Sequence, residues 1–121
     1  MAGLNLILLA GLPASGKSHF SRYSGQRLGF PVLAKDAIKE TLFGDVGFRS
    51  REEKVKLGVA AMDLMYDQAD TLLGLGISVI LDNNFARVSL PGVQRLMEKH
   101  HPNTVTLRFE GDPKAVDQRL Q

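Results

Sequence analysis

Gly11-Leu12-Pro13-Ala14-Ser15-Gly16-Lys17-Ser18 is the stretch whose reading decides the fold. It has the form G-x-x-x-x-G-K-[ST], and its flanks give that form a mechanical meaning. Before it, Leu4-Asn5-Leu6-Ile7-Leu8-Leu9-Ala10 is a short apolar run of the kind that makes a buried parallel strand. After it, Ser18 to Leu28 has the spacing of an amphipathic helix. A strand feeding a glycine-rich turn that opens a helix is a phosphate-binding loop. Its backbone N–H groups must converge on phosphate oxygens, and Gly11 and Gly16 leave the room that this needs. The helix N-terminus adds unpaired N–H groups and the positive end of its dipole. Lys17 can reach the β- and γ-phosphates of a bound nucleoside triphosphate, and the Ser18 hydroxyl can ligate Mg²⁺. A chance glycine-rich turn has no reason to carry both flanks.

The chain has 121 residues, enough for one domain with a real core, and it is read as a single domain over residues 1–121. A hydrophobic fraction of 44% and a charged fraction of 23% are those of an ordinary water-soluble protein. A net charge of +2 is too small to argue for nucleic acid or a membrane as partner. With no cysteine, a disulfide framework and a zinc–thiolate site are excluded. Leu4 to Leu12 is too short for a membrane span, lacks a cationic leader and is needed as the first strand. The cytoplasm is the expected compartment.

Beyond the loop, Gly29-Phe30-Pro31 breaks the helix and Pro31 to Ala34 forms a short second strand. Asp36 starts a helix expected to run to about Phe43, followed by a glycine-bearing surface link over Gly44 to Arg49. Ser50 and Glu53 form a capping box, and the long helix they open has an apolar seam at Val55, Val59, Met62, Met65, Ala69 and Leu72 or Leu73. That spacing predicts a core-facing stripe along the whole helix. Gly74 and Gly76 end it. Ile77 to Leu81 form a third strand closing on Asp82-Asn83-Asn84-Phe85, and Ser89 to His100 a further helix. Thr104 to Phe109 form a fourth strand, alternating so as to be half buried, and Asp112-Pro113 open a last helix. His100-His101 are expected to sit favourably at a helix carboxyl end rather than to hold a metal.

The order β-α-β-α-α-β-α-β-α predicts an α/β three-layer domain with a parallel sheet of about four strands and right-handed crossovers. Ligands of such sheets bind beyond the carboxyl ends of the strands, so Gly11, Asp36 and Asp82 should meet on one rim. Asp82 there can hold Mg²⁺ opposite Ser18, or simply start a turn. Asp36 can cap its helix, or accept the proton of an attacking hydroxyl; the two roles are compatible. Arg49 and Arg87 are candidate contacts for an anionic substrate or phosphate, with solvated surface charge as the plainer role. Asn84 can orient a substrate hydroxyl or satisfy its own turn.

Gly11 to Ser18, Ala34-Lys35-Asp36-Ala37-Ile38-Lys39 and Val79-Ile80-Leu81-Asp82-Asn83-Asn84-Phe85 together resemble the small P-loop kinases labelled AAA-family ATPases. Polynucleotide kinase, chloramphenicol phosphotransferase, zeta toxins and seryl-tRNA kinase are relatives of that group. The resemblance implies the P-loop NTPase fold with sheet order 2-3-1-4 continuing to a fifth strand, and ATP and Mg²⁺ as cofactors. It also implies that Asp36 is the catalytic base beside the acceptor hydroxyl. Members of the group continue past the Asp-Pro helix into a lid bearing arginines, which has no counterpart after Arg119.

The expected activity is phosphoryl transfer from ATP to a hydroxyl of a small molecule or nucleotide-like acceptor. A nucleotide-binding module or weak ATPase without acceptor chemistry is the alternative. No N-K-x-D segment to read guanine and no D-x-x-G switch is present, which argues against a GTPase and for ATP as the nucleotide. Nucleic acid as acceptor would need a basic channel, of which the charge gives little sign.

Overall fold

The computed structural model describes residues 3–11, 25–83, 85 and 90–109. Residues 1–2, 12–24, 84, 86–89 and 110–121 lie outside them, and with them most of the phosphate loop, the Ser89 cap and the Asp112-Pro113 helix. The described elements run β1 (Asn5–Gly11), β2 (Val32–Ala34), α1 (Lys35–Asp45), α2 (Arg51–Gly74), β3 (Val79–Asp82), α3 (Leu90–His100) and β4 (Asn103–Phe109).

The four strands form one sheet in the order β2-β3-β1-β4, as the resemblance implied. Every pairing is parallel, with Ile7 opposite Ile80, Ile7 also opposite Val105, and Leu33 opposite Leu81. A parallel sheet covered on both faces needs apolar side chains in both directions, which explains the unbroken run in β1. Leu6, Leu8 and Ala10 join Val79 and Leu81 on one face, under Met65, Tyr66, Ala69 and Leu73 of α2 and Val93 and Leu96 of α3. Ile7, Leu9 and Ile80 are buried on the other, with Phe30, Val32 and Leu107 against them. Residues 25–28 are helical. A Cβ on Gly25 would come within 2.7 Å of Val32 Cγ2, which places the end of that helical segment on the second face. No side chain of residues 103–108 in β4 is fully buried, in keeping with its half-buried pattern.

Three local expectations need correction. Asp36 is not the N-cap of α1: Ala34 holds that position with extended backbone, and no side chain caps the helix. The strand passes straight into the helix, so Asp36 falls in the first turn, where its charge faces the positive end of the dipole. Gly44 belongs to α1 rather than to the link; the helix closes only at Val46, whose N–H reaches the Leu42 carbonyl at 2.9 Å. Gly47 then takes the left-handed conformation, φ 77°, that ends helices cheaply.

The third correction concerns α2. The Ser50 hydroxyl accepts from the Glu53 N–H at 3.1 Å, so the expected cap is present. Glu53 returns its own bond to the N–H of Arg49 at 2.9 Å, one residue earlier than in a standard capping box. The apolar seam, however, is buried only in its second half. Val55 and Val59 are 59% and 48% exposed, while Met65 and Ala69 are completely buried. Length explains the break. The 24 residues of α2 span ~36 Å, whereas the 7 residues of β1 span ~23 Å, so the helix outruns the sheet. Since α2 must return the chain to the amino end of β3, its overhang is at the carboxyl rim.

Candidate active site at the carboxyl rim of the sheet

The strand register builds the site. Asp82 closes β3 opposite Leu9 of β1 on one side and Ala34 of β2 on the other. Asp36 follows Ala34 by one residue beyond the strand, and Gly11 ends β1 opposite Phe109 of β4. The carboxyl ends of β1, β2 and β3 therefore bring Gly11, Asp36 and Asp82 to one rim. Gly11 has φ 123°, a backbone angle that side chains resist, at the point where the strand turns into the loop.

The two carboxylates differ in setting. Asp82 is 8% exposed at the centre of the rim, and the Asn83 N–H donates to the Leu9 carbonyl at 3.1 Å, tying the end of β3 to β1. Asp36 is exposed, and its Oδ1 lies 3.5 Å from Lys39 Nζ one turn along α1. Asp82 is a hard oxygen donor of the type Mg²⁺ takes. Among the described residues no cluster of three or more carboxylate, histidine or cysteine side chains forms a self-contained metal site.

Phe85 was missed as a rim feature. It is buried and has φ 52°, uncommon for a residue with a bulky side chain. Its ring joins the core on the α2–α3 face, so packing holds the strained backbone just after Asp82-Asn83. Its Asp-Asn-Asn-Phe context signalled a turn but not which residue would carry the strain.

Arg49 stands at the start of α2, exposed, beside a cluster that joins α1 to α2. The rings of Phe43 and Phe48 meet edge to face at 5.0 Å, and Lys54 Nζ lies 5.9 and 5.5 Å from their centroids. Lys39, the partner of Asp36, lies 5.9 Å over Phe43. Leu12, Pro13, Ala14, Ser15, Gly16, Lys17, Ser18, Asn84 and Arg87 are outside the described residues.

His100 does sit in the last turn of α3, with a tertiary partner added. Its Nε2 lies 2.6 Å from Asp70 Oδ1 of α2, and Lys99 Nζ lies 3.0 Å from Asp70 Oδ2. The hydrogen bonds from His100 and then Lys99 hold the Asp70 carboxyl below its ordinary value. This contact is at the amino-terminal end of the sheet, away from the rim, and joins the two helices of one layer.

A parallel sheet in the order 2-3-1-4, with a glycine-rich loop after β1 and acidic residues at the ends of its neighbours, is the architecture of the small P-loop kinases. The chain belongs to the AAA domain family, whose sequence model matches residues 6–121. No curated protein matches it. Among solved structures, a protein of Chloroflexus aurantiacus described as a candidate kinase superposes with a TM-score of 0.84 at 30% identity. The match covers 99% of this chain and 66% of that one. The Pnkp1/Rnl/Hen1 RNA repair complex matches at TM-score 0.69 and 22% identity, over 98% of this chain and 37% of that one. The APS kinase CysC of Mycobacterium tuberculosis matches at TM-score 0.61 and 17% identity, over 91% and 78%. Family and fold together support nucleotide-dependent phosphoryl transfer in general. No described helix is long and apolar enough to cross a membrane.

Proposed function

We propose that this chain transfers the γ-phosphoryl group of ATP to a hydroxyl of a small-molecule or nucleotide-like acceptor in a Mg²⁺-dependent reaction. The observation that carries the reading is the strand register, which puts Gly11, Asp36 and Asp82 on one rim. Gly11 to Lys17 would hold the triphosphate, with Lys17 on its β- and γ-oxygens. Ser18 and Asp82 would hold Mg²⁺, which supplies charge neutralisation on those oxygens when bound. The buried Asp82 carboxylate at the centre of the rim suits that role. Asp36 accepts the proton of the acceptor hydroxyl as its oxygen bonds to the γ-phosphorus and the bond to ADP breaks. Lys39, within reach of Asp36, holds that carboxylate until the acceptor arrives. Asn84, Arg87 and Arg49 are the candidate acceptor contacts. The site chemistry fits the reducing, Mg²⁺-rich cytoplasm.

A second reading, a nucleotide-binding or weak ATPase module, is favoured by one observation: Asp36 is mostly exposed and already engaged by a lysine of its own helix. Incubation with γ-labelled ATP, Mg²⁺ and a panel of alcohols, sugars and nucleosides decides between them. Label on an acceptor supports the kinase. Inorganic phosphate as the sole labelled product supports the ATPase.

A further inference from the structure

Phe85 has a backbone conformation that its own side chain resists. Its φ of 52° is in the left-handed region, where a bulky residue is an outlier and persists only if the surrounding structure over-determines it. Among the described residues His101 is the other non-glycine with such an angle, and it directly follows the end of α3, where a left-handed residue is ordinary. At Phe85 the constraint is burial: the ring belongs to the core cluster of Leu8, Ala10, Leu81 and Val93 on the α2–α3 face. Asp82, three positions earlier, lies on the opposite face. It is in register with Leu9, which is buried there with Ile80, and side chains in register across a parallel pair share a face. The end of β3 is thus held from both sides. The Asn83 N–H binds the Leu9 carbonyl at 3.1 Å, and two residues later the Phe85 ring is anchored in the core of the first face. A strained residue lowers stability, so stability alone does not account for it; strain of this kind is kept where geometry matters.

We propose that Phe85 is a positioning residue for Asp82. Its ring, seated in the core, turns the chain out of β3 within three residues of Asp82 and keeps the strand's end from shifting. The Asp82 carboxylate is thereby presented at a fixed place on the rim. A metal ligand is most effective when packing outside the coordination sphere sets its orientation. The inference rests on the proposed Mg²⁺ role of Asp82 for its chemical consequence, and on the geometry of β3 alone for the anchoring.

Two readouts on the full chain test it, and neither involves turnover. The first compares amide hydrogen exchange at Asn83, bound to the Leu9 carbonyl, with that at Ile80 of the same strand, bound to the Pro31 carbonyl. In Phe85→Ala the Asn83 amide should exchange about tenfold or more faster relative to Ile80. The second is the Mg²⁺ concentration that half-saturates binding of a non-hydrolysable ATP analogue, which should rise about tenfold in the same variant. Phe85→Leu, which keeps an apolar anchor, should change each by about threefold or less. Leu96→Ala, a loss from the same core in the second half of α3, should lower the melting temperature and move neither readout. Adding Phe85→Ala to Asp82→Asn should cost no further Mg²⁺ affinity. An exchange ratio in Phe85→Ala equal to the parent's would overturn the inference. So would the same selective loosening of Asn83 in Leu96→Ala, since any core loss would then produce it. Parent-like Mg²⁺ dependence in Phe85→Ala, where Asp82→Asn weakens it, would overturn it as well. If Asp82→Asn itself leaves Mg²⁺ dependence unchanged, the metal role of Asp82 falls and the exchange ratio alone decides the anchoring. If Phe85→Ala does not fold, Phe85→Leu decides by the same comparisons.

Discussion

The two halves of α2 carry the same apolar spacing and meet opposite fates. From Ala61 onward, Met65, Tyr66, Ala69 and Leu73 fill the core over β1 and β3. Before it, Val55 and Val59 repeat the pattern in solvent. Periodicity fixes which side of a helix is apolar, but how far that side is covered depends on the length of its neighbours. One half of α2 is therefore core scaffold, and the other leaves its apolar side exposed.

The sharpest way to break this contrast is truncation. Met65→Ala should cost about 2–5 kcal/mol in denaturant unfolding, because it opens a cavity in a fully packed place. Val55→Ala should change stability by no more than about 0.5 kcal/mol. Comparable losses at both sites would mean that the overhang is covered after all. Next in size is Gly92→Ala on α3, whose new methyl would fall 2.5 Å from Cε2 of the Tyr66 ring. A destabilisation of about 1–3 kcal/mol is expected there, and a neutral result would show that the α2–α3 contact is looser than drawn. Ser50→Ala removes the cap of the exposed half and should cost about 1 kcal/mol, since Glu53 keeps its bond to Arg49.

The smallest effect depends on pH. Asp70 has its carboxyl held below the ordinary value in the folded chain, mainly by His100. A depressed folded value means the stabilisation is fully present above the unfolded carboxylate range and is lost as pH falls through the folded value. Asp70→Asn should therefore flatten the acid limb of a stability–pH profile below about pH 4. An acid limb identical to the parent's would show that the His100–Asp70 contact contributes nothing measurable.

Local signals made most of the fold legible. The apolar runs of β1 and β3, the Ser50–Glu53 cap and the glycines that end α2 are each decided by a few neighbouring residues, and the structure keeps them. The rim could be foreseen because residues that end parallel strands share an edge whatever the loops do. What escaped were properties set across the fold. The exposure of Val55 depends on where β3 stops. Asp36 lost its capping role because Lys35 was already helical, and a single residue of register is below what propensity resolves. The pairing of Asp70 with His100 joins helices far apart in sequence, with no spacing rule to announce it.

The central claim is that Asp36 and Asp82 share one rim and divide the work of phosphoryl transfer between proton acceptance and metal holding. Single-turnover transfer from γ-labelled ATP, run beside equilibrium ATP binding, tests it most directly. The account predicts that Asp36→Ala keeps ATP and Mg²⁺ affinity while transfer to the acceptor falls about 100-fold or more. Asp82→Ala should lose Mg²⁺-dependent binding as well. Transfer unchanged in Asp36→Ala, or the same loss of metal-dependent binding in both variants, would contradict it.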